Sequence, residues 1–210
     1  MSSALILRFV CSAFAADAAT AFECLDAWLA NVPLPFSVLA SLPVLDAITQ
    51  GLLADNTLGL VSDSFFDFCA LLRYPDKHEM VDNREIEIAT AFARKILAFL
   101  VTAMPATIRQ AADDEDRLYE ITKAYCAFGF SIPNFITSLD TKEVCAFFAV
   151  VVQLAQVRHE GIITEISDLL FEISEAAVTD EQLNDFLSNF LCEHMLQLFF
   201  VLVTVHFPYP

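Results

Sequence analysis

The sequence predicts an all-α protein, and within that class an α-solenoid of HEAT/armadillo-like antiparallel helix pairs spanning residues 1–210 as a single segment. Three observations lead there. Apolar residues recur at the helical period along nearly the whole chain. No segment gives a convincing strand pattern. The 210 residues hold 20 Phe against 4 Gly, which supplies bulky packing surface but few of the tight turns that join strands. Hydrophobic residues make up 57% of the chain and mean hydropathy is +0.57, more apolar surface than a disordered chain carries.

In chain order, the pattern places helices over 4–15, 17–30, 43–54, 58–73, 84–103, 106–128, 141–158, 162–177 and 181–203, with 131–139 a short helix or a turn. The second of these carries the chain's lone tryptophan, Trp28, and stops at Pro33 and Pro35. Trp28 shares an apolar face with Ala21, Cys24 and Leu25, which predicts a residue interlocked between helices. Pro75 ends the 58–73 run. Asp82 and Glu85 form a capping box before the stripe Ala89, Phe92, Ala93, Ile96, Leu97 and Leu100. Pro105 marks the next joint, and the carboxylates of "ADDEDRLYEI" suit the positive end of a helix dipole. Asp140 with Glu143 opens the 141–158 helix, and Gly161 is the joint to 162–177. That helix is striped by Ile163, Ile166, Leu169, Leu170, Ile173, Ala176 and Ala177. Thr179 with Gln182 opens the last helix, whose stripe runs Leu183, Phe186, Leu187, Phe190, Leu191 and on to Leu198. Residues 191–210 form an atypical apolar tail, with "FFVLVTVHF" ambiguous between helix and extended chain. A four-helix bundle buries one stripe per helix and would leave too many of these Phe residues exposed. Stacked helix pairs bury more than one face, and their repeats of ~40–47 residues share little sequence.

The formal net charge of −17 opposes binding to nucleic acid and to anionic lipid, and favours basic, Arg/Lys-rich protein partners. It also serves solubility. The six cysteines, Cys11, Cys24, Cys69, Cys126, Cys145 and Cys192, form no C-x-x-C pair. They read as reduced, buried thiols of a cytosolic or nuclear protein. The N-terminal apolar run lacks a charged leader and is interrupted by Arg8, which argues against a signal peptide. The tail from Met195 falls short of the ~20 residues that span a bilayer, so no membrane insertion is expected.

No catalytic, cofactor or metal site is expected. His78, His159, His194 and His206 are scattered, "CEHM" at 192–195 is too local to close a metal shell, and no phosphate loop or nucleophile elbow occurs. Ser62, Asp63 and Ser64 read as a helix surface. Two acidic sets are candidate contacts for basic cargo. Asp113, Asp114, Glu115 and Asp116 either cap a helix or contact a partner. Glu165, Asp168, Glu172 and Glu175, spaced by three and four, present a carboxylate stripe on one helix. On an inner helix the stripe would suit Arg-rich segments, and on an outer one it is solvated.

The segment "CLDAWLANVPLPFSVLASLPVLDAITQGL" resembles the β-karyopherins, in their importin-13/transportin-3 branch. The matching elements are Cys24, Leu25, Trp28 and Leu29, then Leu34 and Pro35, then a helix from Leu39 to Leu45. "DDEDRLYEITKAYCAFGFSIPNFITS" and "IITEISDLLFEISEAA" resemble later family segments, although Leu170 and Phe171 stand where the family carries a Phe-Trp pair. The resemblance covers about residues 15–190. It implies an internal portion of a longer nuclear transport receptor, working in protein import between cytoplasm and nucleus. Its implied partners are basic protein cargo, Ran-GTP and Phe-Gly nucleoporins. The family's Ran site lies mainly in N-terminal repeats, which the resemblance places outside these residues, so Ran binding by this chain alone is not expected. The alternative is a helical-repeat scaffold for protein–protein interaction with no transport role.

Overall fold

The computed structural model describes residues 17–32, 34–54, 57–73 and 82–206. The helix expected over 4–15 and Cys11 lie outside them, as do Pro33, Pro75, His78 and the last four residues. Every regular element among the described residues is helical, so the fold class is all-α. In order these are α1 (Ala18–Asn31), α2 (Phe36–Ala40), α3 (Val44–Leu53), α4 (Leu58–Arg73), α5 (Asn83–Thr102), α6 (Met104–Gln110) and α7 (Glu115–Gly129). There follow α8 (Ile132–Phe135), α9 (Thr141–Leu154), α10 (Glu160–Thr179) and α11 (Glu181–Phe186), then a π turn (Leu187–Leu191) and α12 (Cys192–His206). The chain divides into two compact units, Met1–Phe92 and Ala93–Pro210, with the boundary inside α5.

Local chemistry explains most helix ends. Asp17 caps α1 by accepting from Thr20 N–H, and Asp140 caps α9 by accepting from Lys142 and Glu143 N–H at 2.9 and 3.1 Å. Asp82 accepts from Glu85 N–H at 3.0 Å, but the Glu85 carboxylate does not reach back. It accepts instead from Ser37 N–H at 3.1 Å, tying α5 to the start of α2. The expected Thr179 cap shifts by one residue. Asp180 accepts from Gln182 and Leu183 N–H, while Thr179 is still helical and donates its hydroxyl to Ala176 O. The helix expected over 106–128 is two helices, because Asp114 caps a new start by accepting from Arg117 N–H at 3.0 Å. Pro35 caps a short helix, α2, that the pattern did not foretell.

In the first unit, α1 lies on α4 in the same direction. Ser64 Oγ of α4 donates to Phe22 O of α1 at 3.2 Å, and one turn further on Asp67 meets Asp26. Gly51 of α3 closes the third side, since a Cβ there would lie 2.6 Å from Val61 and 2.9 Å from Phe22. Phe68 stacks edge-on against Phe92 at 5.3 Å, and Phe36 adjoins the same ring. Ser62 and Ser64 are therefore buried, not surface residues: each hydroxyl donates to a backbone carbonyl, which makes its burial tolerable. The expected Trp28 face is rotated. Ala21, Phe22, Leu25 and Leu29 are buried, Trp28 is half-buried and Cys24 is exposed.

The second unit repeats that arrangement twice. α7 and α10 run parallel in close contact: Tyr119 covers Gly161 at one end, and Leu169 covers Gly129 at the other. α9 and α12 also run parallel, with Cys145 Sγ 3.7 Å from Phe190 O and Val152 sharing a groove with Gln197 further along. The centre is aromatic. Tyr125, Phe128, Phe147 and Phe148 are fully buried, and Phe147 touches the other three rings at 5.2–5.9 Å. Tyr125 donates its hydroxyl to Leu100 O at 2.6 Å, and burial pushes its ionisation well above the ordinary range.

The final stripe departs from expectation. Leu183, Leu191, Leu198 and Leu202 are buried, but the π turn adds a residue per turn and carries Phe190 outward. The helix is also longer than the apolar tail that suggested it. From Glu181 to Thr204 it runs 24 residues, long and apolar enough by length and composition to cross a membrane.

Two substitutions test this core. Phe147→Ala should cost about 3–5 kcal/mol in urea unfolding, because it opens a cavity among three rings. Tyr125→Phe should cost about 1–2 kcal/mol through loss of one buried hydrogen bond.

Candidate protein-interaction surface

The Glu165 carboxylate of α10 sits where that helix meets α7. Glu165 and Glu172 are half-buried and Asp168 and Glu175 are exposed, so the four line one flank of the helix over about 15 Å. Burial holds the Glu165 carboxyl above the ordinary carboxylate range, with Asp168 and Glu120 adding to the shift and Lys123 and the Tyr119 hydroxyl opposing it. Lys123 is placed by α7 one turn from Glu120 and pairs with it at 3.3 Å, its ammonium also 5.9 Å from the Tyr119 ring. Tyr119 in turn stacks on His159 at 5.2 Å, and His159 Nδ1 accepts from Ile162 N–H at the start of α10. At Glu165 the Lys123 ammonium is thus joined by the carboxylates of Asp168 and Glu120. The exposed carboxylates of Asp168 and Glu175 could accept charge-assisted bonds from an added ammonium or guanidinium.

The second acidic set is divided by the fold. Asp114 is a helix cap, and Asp113, Glu115 and Asp116 are exposed around the same N-terminus. The capping reading holds for Asp114, and Glu115 and Asp116 stand in the first turn of α7 at the positive end of its dipole, while Asp113 precedes the cap; all three are exposed. The family-like residues stay together in sequence but not in environment. Leu25 and Leu29 are core, Trp28 is half-buried, and Cys24 and Pro35 are exposed. The cysteines divide likewise. Cys69 and Cys126 are buried with thiols pushed well above their usual range by burial, Cys145 is half-buried, and Cys24 and Cys192 are exposed. No group of three or more His, Cys, Asp or Glu among the described residues is arranged to hold a metal ion.

One cluster was not foreseen. Asp67 of α4 packs against Asp26 of α1, with Asp63 one turn before it on α4. Burial first, then the Asp26 charge and hydrogen bond, then the Asp63 charge, raise the Asp67 carboxyl to about 6. The i, i+4 spacing of Asp63 and Asp67 was visible in the sequence, but Asp26 joins them only through the parallel packing of α1 on α4.

Compared with protein-family models, with curated proteins and with solved structures, the chain matches none.

The Asp67 pair makes a pH prediction. The folded chain holds a proton that the unfolded chain, with an ordinary value of 3.8, has released by about pH 6. The stability from that proton is complete below about pH 3.8 and lost as pH rises through about 6. Asp67→Asn should raise the urea midpoint at pH 7.5 and flatten its change between pH 5 and 7.5. Equal slopes in the two proteins would remove Asp67 as the cause.

Proposed function

We propose that the chain is a non-enzymatic, helical-repeat binding module of HEAT type that engages basic segments of other proteins. The observation that carries the repeat reading is a constant offset between parallel helices. Phe22 meets Ser64, Asp26 meets Asp67, Tyr119 meets Gly161, Gly129 meets Leu169, and Cys145 meets Phe190. Each partner lies 40 to 45 residues further along the chain, within the ~40–47 of HEAT-type units. An up-and-down bundle sets neighbouring helices antiparallel, whereas first-on-first and second-on-second parallel stacking belongs to an array of helix pairs.

The basic-partner reading is supported by the α10 flank and by the −17 charge. Glu165, Asp168, Glu172 and Glu175 would accept from Arg or Lys side chains, with Asp113, Glu115 and Asp116 as a second contact. Transport between cytoplasm and nucleus, with Ran-GTP and Phe-Gly nucleoporins as further partners, has one observation in its favour. The helix carrying Trp28 closes before Pro35 as the resemblance implies, whereas the stretch Leu39–Leu45 is broken by a turn at 41–43 between α2 and α3.

The test is binding of an unstructured Arg/Ser-rich peptide to the whole chain at rising salt. Salt-sensitive binding that falls at least fivefold in Asp168→Asn/Glu175→Gln is expected. Binding that ignores both salt and the substitutions would overturn the charge reading. Ran-GTP, offered separately, distinguishes a transport receptor from a scaffold.

A further inference from the structure

The solvent side of α12 carries a second apolar stripe. Leu196, Phe199, Phe200 and Val203 stand at i, i+3, i+4 and i+7, so they share one face, opposite the face that Leu191, Leu198 and Leu202 bury. Leu196, Phe199 and Phe200 are 64–67% exposed. A helix that is apolar on both sides is normally covered on both. Phe199 and Leu196 form a ridge between two grooves. One, about 370 Å³, runs between α10 and α12 and is lined by Leu170, Leu187 and Met195. The other lies towards α9, beside Val152 and Glu193.

Charge decides what fits there. From α10 onward, residues 160–210 contain nine Asp or Glu and no Lys or Arg. Two copies of such a surface repel each other, and an anionic bilayer repels it too. On its N-terminal side the helix Glu181–Thr204 is preceded by Asp180 and Glu175 rather than by the cations that anchor a span at the headgroups. Glu193 is the one charged residue lining these two grooves, and an apolar ridge beside it, on a segment without Lys or Arg, matches a helix with the opposite endowment. We propose that this face binds a basic amphipathic helix of a partner protein, its apolar residues seated against Phe199 and in the α10–α12 groove and its Lys or Arg side chains on Glu193 and the other carboxylates of α11 and α12. The proposal concerns a different surface from the α10 flank. It requires a folded, amphipathic ligand where the flank requires only positive charge.

The probe is a synthetic 18-residue Leu/Lys peptide with Leu at i, i+3, i+4 and i+7, titrated into the full chain. Its controls are a scrambled peptide of equal charge and a Leu/Glu peptide. The Leu/Lys peptide should bind at least tenfold more tightly than the scrambled one and turn helical on binding, and the Leu/Glu peptide should not bind. Leu196→Asp/Phe199→Asp should weaken it at least tenfold. The substitutions add negative charge, so a loss can come only from the apolar contact. Cys192 lines the groove and supplies a readout on the unaltered chain. Bound peptide should slow its alkylation at least fivefold relative to exposed Cys24. Equal binding of the scrambled peptide, or unchanged Cys192 alkylation, overturns the proposal and leaves the α10-flank reading standing. So does a dimer at micromolar concentration, or partition into phosphatidylcholine vesicles, that the double variant abolishes while the peptide fails to compete. Loss of Arg/Ser-peptide binding in Asp168→Asn/Glu175→Gln with the Leu/Lys peptide unaffected separates the two surfaces.

Discussion

The structure depends on how closely parallel helices approach. α7 reaches α10 because two glycines remove side chains at the ends of the contact. Tyr119 lies over Gly161, and Leu169 over Gly129, where a Cβ would be within 2.6–2.7 Å of them. Gly51 serves the first unit in the same way, admitting Phe22 and Val61. With only 4 Gly in the chain, three of them at such contacts show what glycine is for here: admitting a neighbour, not making a turn. The backbone agrees, since no described glycine has positive φ.

That approach sets the electrostatics. Drawing α10 against α7 carries Glu165 out of water and towards Glu120 and Asp168, with Lys123 as the compensating charge. Drawing α1 against α4 brings the Asp26 carboxylate to Asp67, with Asp63 one turn away, and the result is a carboxyl raised to about 6. In both places like charges are tolerated because the apolar contacts beneath them are worth more. Leu25, Phe65 and Phe68 are fully buried under one pair and Ile162, Ile166 and Leu169 under the other.

Which acids would be crowded was only partly legible. The stripe Glu165, Asp168, Glu172 and Glu175 could be placed on one helix flank by counting, since helical period fixes what shares a face. Whether that flank was half-buried depended on α7. Asp26 and Asp67 are 41 residues apart and nothing local links them. Asp114 was legible as a cap, because capping is a contact within three residues.

The chain's own sequence determined the helices, their caps and the sign of its surface. These follow from period, from Asp, Ser and Pro at fixed short offsets, and from summed charge, all of which act over a turn or two or need no geometry at all. Tertiary structure decided which faces meet. It buried Ser62 and Ser64, turned Cys24 outward and Trp28 only half inward, and left Leu196, Phe199 and Phe200 bare on a helix whose other side is core. An apolar residue reads the same in sequence whether a neighbour covers it or not. Only the packing of helices some 40 residues apart tells the two cases apart.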